Sequence, residues 1–464
     1  MKTKFLLLAT IGTLLLATAC TNDDVTTDDV QAVAEEEMPI GFDTYLSSNS
    51  QGDTRAVYTV GVNHGLFQAA ELTDNGFGIF AYLQDGTAAT STFTGTPNFM
   101  YDQHVTYSAS NWTYSPLKYW PNMTTNDGRT GNSATMTKTQ SVNFFAYAPY
   151  IPTATDDNSD YLNSADGIVK DKNGTERTTG ITHIVANTGD AAAPTITYVV
   201  NGTNAADCTD LLWATAPLGG LRYNTVQSGM TVNIDAGMPL VNLIKPDTQT
   251  KLKFSFQHAL TAMGMTIQLA VDQVAGGGTL DSNTKVYVES ITLVSGKKGE
   301  TEPTGFATKG KLNLWNTAAF TPRWEKIDEG TGTWNQDLTI SASGYVTINT
   351  ALTANNTGVT TTPTRVFGTD AAPYLMFIPV LGEAGDLPVT VTVTYKVVTT
   401  DGNYTSGTVE TNNAISNTVT LKNFKAGRLY NLKLVLGLTS VKIDAEAQDW
   451  AVEEQVIDLP RNLE

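Results

Sequence analysis

The chain has 464 residues, of which 46 are Asp or Glu and 28 Lys or Arg, a formal net charge of −18. So acidic a surface lacks the basic face that nucleic acid or anionic lipid requires, and 41% hydrophobic residues supply real cores, which excludes wholesale disorder. Length predicts two or three domains, and the 16% share of charged residues leaves a chain rich in Thr, Ser, Asn and Gly, the composition of turn-rich β-proteins.

Lys2 and Lys4 precede an apolar run over residues 5–16 and the small residues Ala17, Thr18 and Ala19, then Cys20. Residues 1–19 read as an export signal. The run is shorter than the roughly 20 apolar residues a spanning helix needs. No other stretch reaches that length, so the mature chain is expected not to cross a membrane as a helix. A small-residue run ending in Cys resembles a bacterial lipoprotein signal, in which Cys20 becomes the lipidated first residue, its acyl chains (palmitate among them) entering outer-membrane lipid. Ala17 stands where that pattern usually has Leu, and ordinary cleavage with an incidental Cys20 is the alternative. Two or three acyl chains, at roughly 0.8 kcal/mol per buried CH2, form a durable anchor. Cys208 is the other of the 2 cysteines, so a lipidated Cys20 leaves no intrachain disulfide. Residues 20–37, with Asp28-Asp29 and Glu35-Glu36-Glu37, read as an acidic, disordered tether. An acidic cluster just behind the cysteine resembles the surface-export signal of Bacteroidetes-type lipoproteins.

Helical periodicity is nearly absent beyond the tether, with one weak helix candidate at 64–72. Strands are predicted at 78–83, 142–148, 195–200, 251–257, 263–269, 286–294, 375–380, 389–398, 418–421 and 429–436, from short runs of β-branched and aromatic residues bounded by Gly, Asn, Asp and Pro. The run VTVTVTYKVV at 389–398 alternates apolar and polar residues, so one face is core and the other solvated. Residues 124–139, 153–187 and 353–364 read as surface loops. This is an all-β chain, with sandwiches the default architecture. A rise in strand density after 238–250 divides it into an N-terminal domain, 38–240, and a C-terminal domain, 241–464.

Both ends have the character of detachable strands. In MPIGFDTYL, residues 38–46, Ile40 and Phe42 alternate and Leu46 follows on the same face, the pattern of a half-buried strand. Small polar residues around Arg55 and Ala56 form a natural protease site, unless Arg55 is simply a solvated loop residue. At the other end Val441, Ile443, Ala445 and Ala447 alternate, followed by Trp450, Val452, Val456 and Leu459. Residues 441–464 are a candidate donor strand for a neighbour's sheet edge. Val441, Ile443, Trp450, Val452 and Val456 at roughly 1.5–3 kcal/mol each give about 8–15 kcal/mol, against an association cost of roughly 4–15 kcal/mol. The alternatives are that 441–459 is this chain's own last strand pair, or that 441–450 closes the domain and only 451–459 is donated.

Several local patterns in order resemble the Bacteroidales fimbrillin family, the subunits of type V pili. They are Leu117-Lys118-Tyr119-Trp120-Pro121 followed by Val142-Asn143-Phe144-Phe145-Ala146-Tyr147-Ala148-Pro149, then Phe254-Ser255-Phe256-Gln257-His258-Ala259-Leu260, Leu375-Met376-Phe377-Ile378-Pro379, Gly427-Arg428-Leu429-Tyr430-Asn431-Leu432, Val441-Lys442-Ile443 and Asp449-Trp450. The resemblance implies two transthyretin-like β-sandwich domains in tandem. It also implies an arginine-specific protease that cuts after Arg55, ahead of Ala56, and removes the first strand. The product joins copies of itself or related pilin subunits in a fimbrium on the outer membrane, with a host or bacterial surface ligand as the target of adhesion.

Chemistry is sparse. His64, His104, His183 and His258 show no metal-ligand spacing, and His258 reads as a packed core histidine. No nucleophile elbow, phosphate loop or dinucleotide fingerprint occurs, so neither an enzyme nor a cofactor is expected. Asp156, Asn158 and Asp160 alternate loosely like a calcium loop, but Tyr161 replaces the needed glycine and the terminal glutamate is missing. Trp112, Tyr114, Tyr119 and Trp120 are either hairpin packing or an exposed sugar platform. The latter would suit a surface glycan-binding lipoprotein of a polysaccharide-uptake system, the alternative function.

Overall fold

Short β-branched and aromatic runs between Gly, Asn and Asp turns give the chain 26 strands and one helix among the described residues. A computed structural model of the chain describes residues 37–46, 69–85, 97, 99–121, 140–153, 159–186, 193–201, 209–226, 229–269, 284–295, 306–325, 327, 337–341, 363–367, 374–379, 385–400, 402–403, 405, 407–436 and 441–449. The first half runs β1 (Gly41–Leu46), α1 (Ala69–Asn75), β2 (Phe77–Asp85), β3 (Met100–Ser108), β4 (Asn111–Thr113), β5 (Gln140–Ala148), β6 (Tyr161–Leu162), β7 (Val169–Lys170), β8 (Gly180–Val185), β9 (Thr195–Val199), β10 (Leu212–Thr215), β11 (Leu221–Asn224), β12 (Thr231–Ile234), β13 (Leu240–Leu243) and β14 (Lys251–His258). The second half runs β15 (Thr261–Leu269), β16 (Thr284–Ser295), β17 (Phe306–Ala307), β18 (Lys309–Asn313), β19 (Arg323–Glu325), β20 (Asp337–Ser341), β21 (Thr364–Phe367), β22 (Leu375–Pro379), β23 (Gly385–Thr400), β24 (Thr408–Phe424), β25 (Arg428–Leu436) and β26 (Val441–Asp449). The chain is all-β, as its composition predicts. The helix occupies 69–75, so only the end of the expected 64–72 helix lies within the described residues.

Each of the ten runs predicted from 78 to 436 lies within or overlaps one of these strands. The expected loop at 153–187 is instead partly strand: β6, β7 and β8 lie within it, with Leu162, Val169, Ile181 and Ile184 buried. Their apolar residues are too sparse among Asp, Asn, Gly and Thr to show a period of two. Residues 124–139 lie outside the described residues.

The first sheet has the order β1-β14-β10-β5-β2-β3-β4, with β13 also paired to β5. Alternate residues of its central strands enter two cores. Phe77, Ile79, Phe144, Ala146 and Leu212 face one, which also holds Phe254 and Phe256 of β14. Phe80, Tyr82, Phe145, Tyr147 and Trp213 face the other, shared with the later strands. Burial on both faces explains why β5, QSVNFFAYA, is apolar almost throughout rather than alternating. Strand β14 belongs to this first sheet, and the chain turns directly from it into β15, in the sheet β17-β22-β15-β25-β26. Strand β9 pairs with β18, and β16, β20, β23 and β24 form a separate four-stranded sheet. Among the described residues no helix is long and apolar enough to cross a membrane.

One buried carboxylate sits between the strands of the first sheet. Opposite Phe80 in β2, strand β3 carries two residues, Tyr101 and Asp102, and Asp102 takes a φ of 43°. The bulge turns Asp102 inward, a conformation that Asp tolerates better than most residues. Its Oδ1 accepts the Tyr147 hydroxyl at 2.7 Å. Gly78 makes room for the pair, since a Cβ there would lie 2.4 Å from the Tyr147 ring and 2.7 Å from Oδ1. Burial pushes the Asp102 carboxyl up to about 7, the Tyr147 hydrogen bond opposing it. In the unfolded chain this carboxyl ionises near 4, so it costs stability progressively as pH rises from about 4 to about 7. Asp102→Asn keeps the acceptor for Tyr147 and removes that cost. Chemical denaturation across this range should show the variant gaining on wild type with rising pH, by roughly 4 kcal/mol at most; parallel profiles would refute the assignment.

Candidate functional site

The site is the place where residues 38–46 close the first sheet. Residues 41–46 lie parallel to β14, from Gly41 opposite Lys251 to Leu46 opposite Phe256. Just upstream the same segment binds a different edge: the Ile40 amide donates to the Lys118 carbonyl and the Trp120 amide to the Met38 carbonyl, both at 2.9 Å. Pro39 and Tyr119 form an antiparallel bridge between these bonds. One segment therefore joins β14, its neighbour at one end of the sheet, to the 118–120 segment that follows β4 at the far end. Across the same closure the Lys251 ammonium donates to the Asn111 side-chain oxygen at 3.1 Å, and the Gln249 amide to the Pro39 carbonyl at 3.2 Å.

Side chains explain why this segment is held. Ile40 and Phe42 are each only 1% exposed, and Leu46 is half-buried. The Phe42 ring stacks on Phe254 at 5.7 Å and meets Tyr114 at 5.3 Å, Phe144 at 6.0 Å and Phe77 at 6.5 Å. Such aromatic pairs contribute beyond their buried area. The Tyr114 hydroxyl donates to the Ile40 carbonyl at 2.9 Å, and the Lys118 amide donates back to that hydroxyl at 3.3 Å. Burial pushes the Tyr114 hydroxyl up to about 12, so it stays a donor throughout the neutral range. The pocket residues Phe77, Phe144 and Phe254 went unassigned in the sequence because apolar alternation marks them as core without naming what they grip.

The opposite end of the chain is placed in part. Strand β26 pairs antiparallel with β25, Val441 opposite Leu436 and Ile443 opposite Leu434. Ile443, Ala445 and Ala447 are half-buried against the second core. Trp450, Val452 and Val456 lie outside the described residues, as do Cys20, Arg55, Ala56, Cys208, Asp156 and Asn158.

The aromatic cluster divides. Tyr114 and Trp120 are core residues, whereas Tyr119 is 40% exposed. Trp112 is half-buried, edge-on to Phe77 at 5.0 Å and to Tyr107 at 5.1 Å. Four residues thus do not make one open platform. His258 is buried in β14 with its ring nitrogen 2.8 Å from the buried Asp210 carboxylate, a structural pair. Among the described residues no three His, Cys, Asp or Glu side chains converge as metal ligands.

With this geometry in place, the chain can be set beside known proteins. No family model matches it. Its likeness to fimbrial subunits extends over nearly its whole length: it is 25% identical over 457 residues to fimbrium subunit Fim1C of Phocaeicola vulgatus, covering 95% of this chain and 94% of that protein. Among solved structures, a fimbrial protein from Bacteroides vulgatus aligns with a TM-score of 0.48 at 20% identity, over 89% of this chain and 100% of that one.

Phe42→Ala should cost about 3–5 kcal/mol of stability, the usual range for emptying an aromatic core site. Leu46→Ala, at the half-buried end, should cost clearly less. Equal losses in equilibrium unfolding would show that the pocket does not hold the segment.

Proposed function

We propose that this chain is a structural subunit of a cell-surface fimbrium, a type V pilus, exported as a lipoprotein through Cys20 and polymerised by donor-strand exchange in support of adhesion. The observation that carries the reading is the double role of residues 38–46, which satisfy two hydrogen-bonding edges and one aromatic pocket at once. A cut after Arg55 would sever this segment from everything it closes. It would then be held by noncovalent contacts alone. Ile40 and Phe42 supply roughly 1.5–3 kcal/mol each from burial, against an association cost of roughly 4–15 kcal/mol. A segment so balanced exchanges for a longer one. Its departure would expose the edge of β14, the edge at 118–120 and a pocket that fits a large apolar side chain.

The donor in this reading is the C-terminus of a neighbouring copy or related subunit. The pairing of 441–449 with β25 favours the division in which this strand closes its own sheet and the donated part is 451–459. Val452 and Val456 are then donor residues, with Trp450 at the hinge. The two cores support a tandem of two transthyretin-like sandwiches. Likeness over 95% of the chain to a protein named as a fimbrium subunit supports the class. The site of action is the outer-membrane surface, the maturing enzyme an arginine-specific protease, and the adhesion target a host or bacterial surface ligand.

Limited digestion of the full chain with an arginine-specific protease should yield a product beginning at Ala56, followed by oligomers that resist mild denaturant. The same product lacking residues 451–464 should remain monomeric by size-exclusion chromatography. Cut protein that never oligomerises would sink the reading of a stalk subunit, and undiminished oligomers from the truncated chain would remove the C-terminus as donor.

A further inference from the structure

Residues 40–46, IGFDTYL, meet a different demand on each face. The Ile40 amide and the Met38 carbonyl face residues 118–120, so by the alternation of a strand the amides of Gly41, Asp43 and Tyr45 face β14. Gly41 stands opposite Lys251 in this ladder and Asp43 opposite Lys253, and both lysines are exposed. The Lys251 side chain crosses the segment as a strap. A Cβ on Gly41 would lie 3.3 Å from its Cγ, and its ammonium reaches Asn111 of β4 at 3.1 Å. The position beneath the strap therefore takes a small residue, and the position facing Lys253 favours an acid. The inner face demands apolar side chains at 40, 42 and 46.

We infer that residues 450–456 of a neighbouring copy, WAVEEQV, take the place of 40–46 in a single register, parallel to β14, and that Lys251 and Lys253 select that register. The inference rests on the fimbrial reading and adds to it the frame of the donated strand. Trp450, Val452 and Val456 then stand where Ile40, Phe42 and Leu46 stood, Ala451 lies beneath the strap and Glu453 faces Lys253. Trp with Val roughly conserves the summed volume of Ile with Phe, the kind of exchange that cores tolerate best. Sliding the frame along 449–464 leaves one other placement with apolar residues at all three positions: Ile457, Leu459 and Leu463. That placement sets Asp458 beneath the strap and Pro460 in place of Asp43, where the ladder needs an amide that proline lacks. The outgoing and incoming strands share one order of apolar, small, apolar and acidic residues, so the two lysines that hold the first also hold the second. Strand β26 ends at Asp449, so Trp450 is the point where the chain passes from one copy to the next.

The test uses the full chain with Cys20 and Cys208 changed to Ser, cut after Arg55 and followed by size-exclusion chromatography. In-register neighbours on adjacent strands lie about 4.8 Å apart, within disulfide reach. Lys253→Cys with Glu453→Cys should therefore link copies into a ladder on a non-reducing denaturing gel after mild oxidation. Lys253→Cys with Ile457→Cys should not, because 457 lies four residues further along, roughly 13 Å away. Ala451→Ile should slow assembly about tenfold by crowding the strap, and adding Lys251→Ala should restore most of the rate. Oligomers without the 253–453 link, or with equal links at 457, overturn the register and leave the fimbrial reading standing. An Ala451→Ile variant that assembles at the full rate does the same. A 253–453 link confined to monomers puts the chain's own tail in the groove and overturns the inference, whereas protein that never assembles overturns both it and the reading beneath it.

Discussion

Residues 38–46 complete two hydrogen-bonding edges that no other segment completes among the described residues. Backbone amides and carbonyls are obligatory bonding groups. The curl of the sheet leaves the 251–256 strand and the 118–120 segment facing each other across a gap one strand wide. The segment fills that gap parallel to one side and antiparallel to the other. Phe42 then supplies the side-chain half of the closure, with contacts to four other aromatic rings. The segment combines deep burial with a position at the start of the folded unit, which begins at Met38. Ordinarily a core strand is fixed in place by chain on both sides.

The buried polar groups follow a consistent logic. Asp102 is turned inward by a bulge and met by the Tyr147 hydroxyl, while Asp210 meets His258. Tyr114 spends its hydroxyl on the backbone of the closing segment rather than on another side chain. Hydrogen bonds of this kind add little net energy, but leaving either partner unmatched inside the core is expensive. They therefore fix register more than they add stability. For the first sheet that matters, because a one-residue slip of the 41–46 strand would rotate Phe42 out of its pocket.

Much of the architecture was legible in the sequence because burial on alternate residues leaves an alternating trace. VTVTVTYKVV at 389–398 is strand on inspection, and its Val389, Val391, Val393 and Tyr395 are buried. The closing segment was equally plain from Ile40 and Phe42. Its partners were not, since alternation tells which face of a strand is apolar and never which strand lies across from it. The short strands at 161–162, 169–170 and 180–185 were hidden among turn residues. The length of the 408–424 strand was also hidden: only Val419, Leu421 and Phe424 of it are buried. Its Thr, Asn and Ser residues leave no strand trace because no core demands an apolar face there.

These two cases expose a single contrast in how the molecule treats its sheet edges. At 38–46 the edge is covered by the chain's own segment, whose side chains are buried and whose removal would leave apolar surface in water. At 408–424 the exposed residues are hydroxyls, amides and a few charges that water solvates well, and the 441–449 strand lies close alongside. The first kind of vacancy favours a partner strongly, because an unfilled aromatic pocket forfeits burial worth several kcal/mol. The polar surface at 408–424 favours a partner weakly, since pairing exchanges bonds to water for bonds to protein at small net gain.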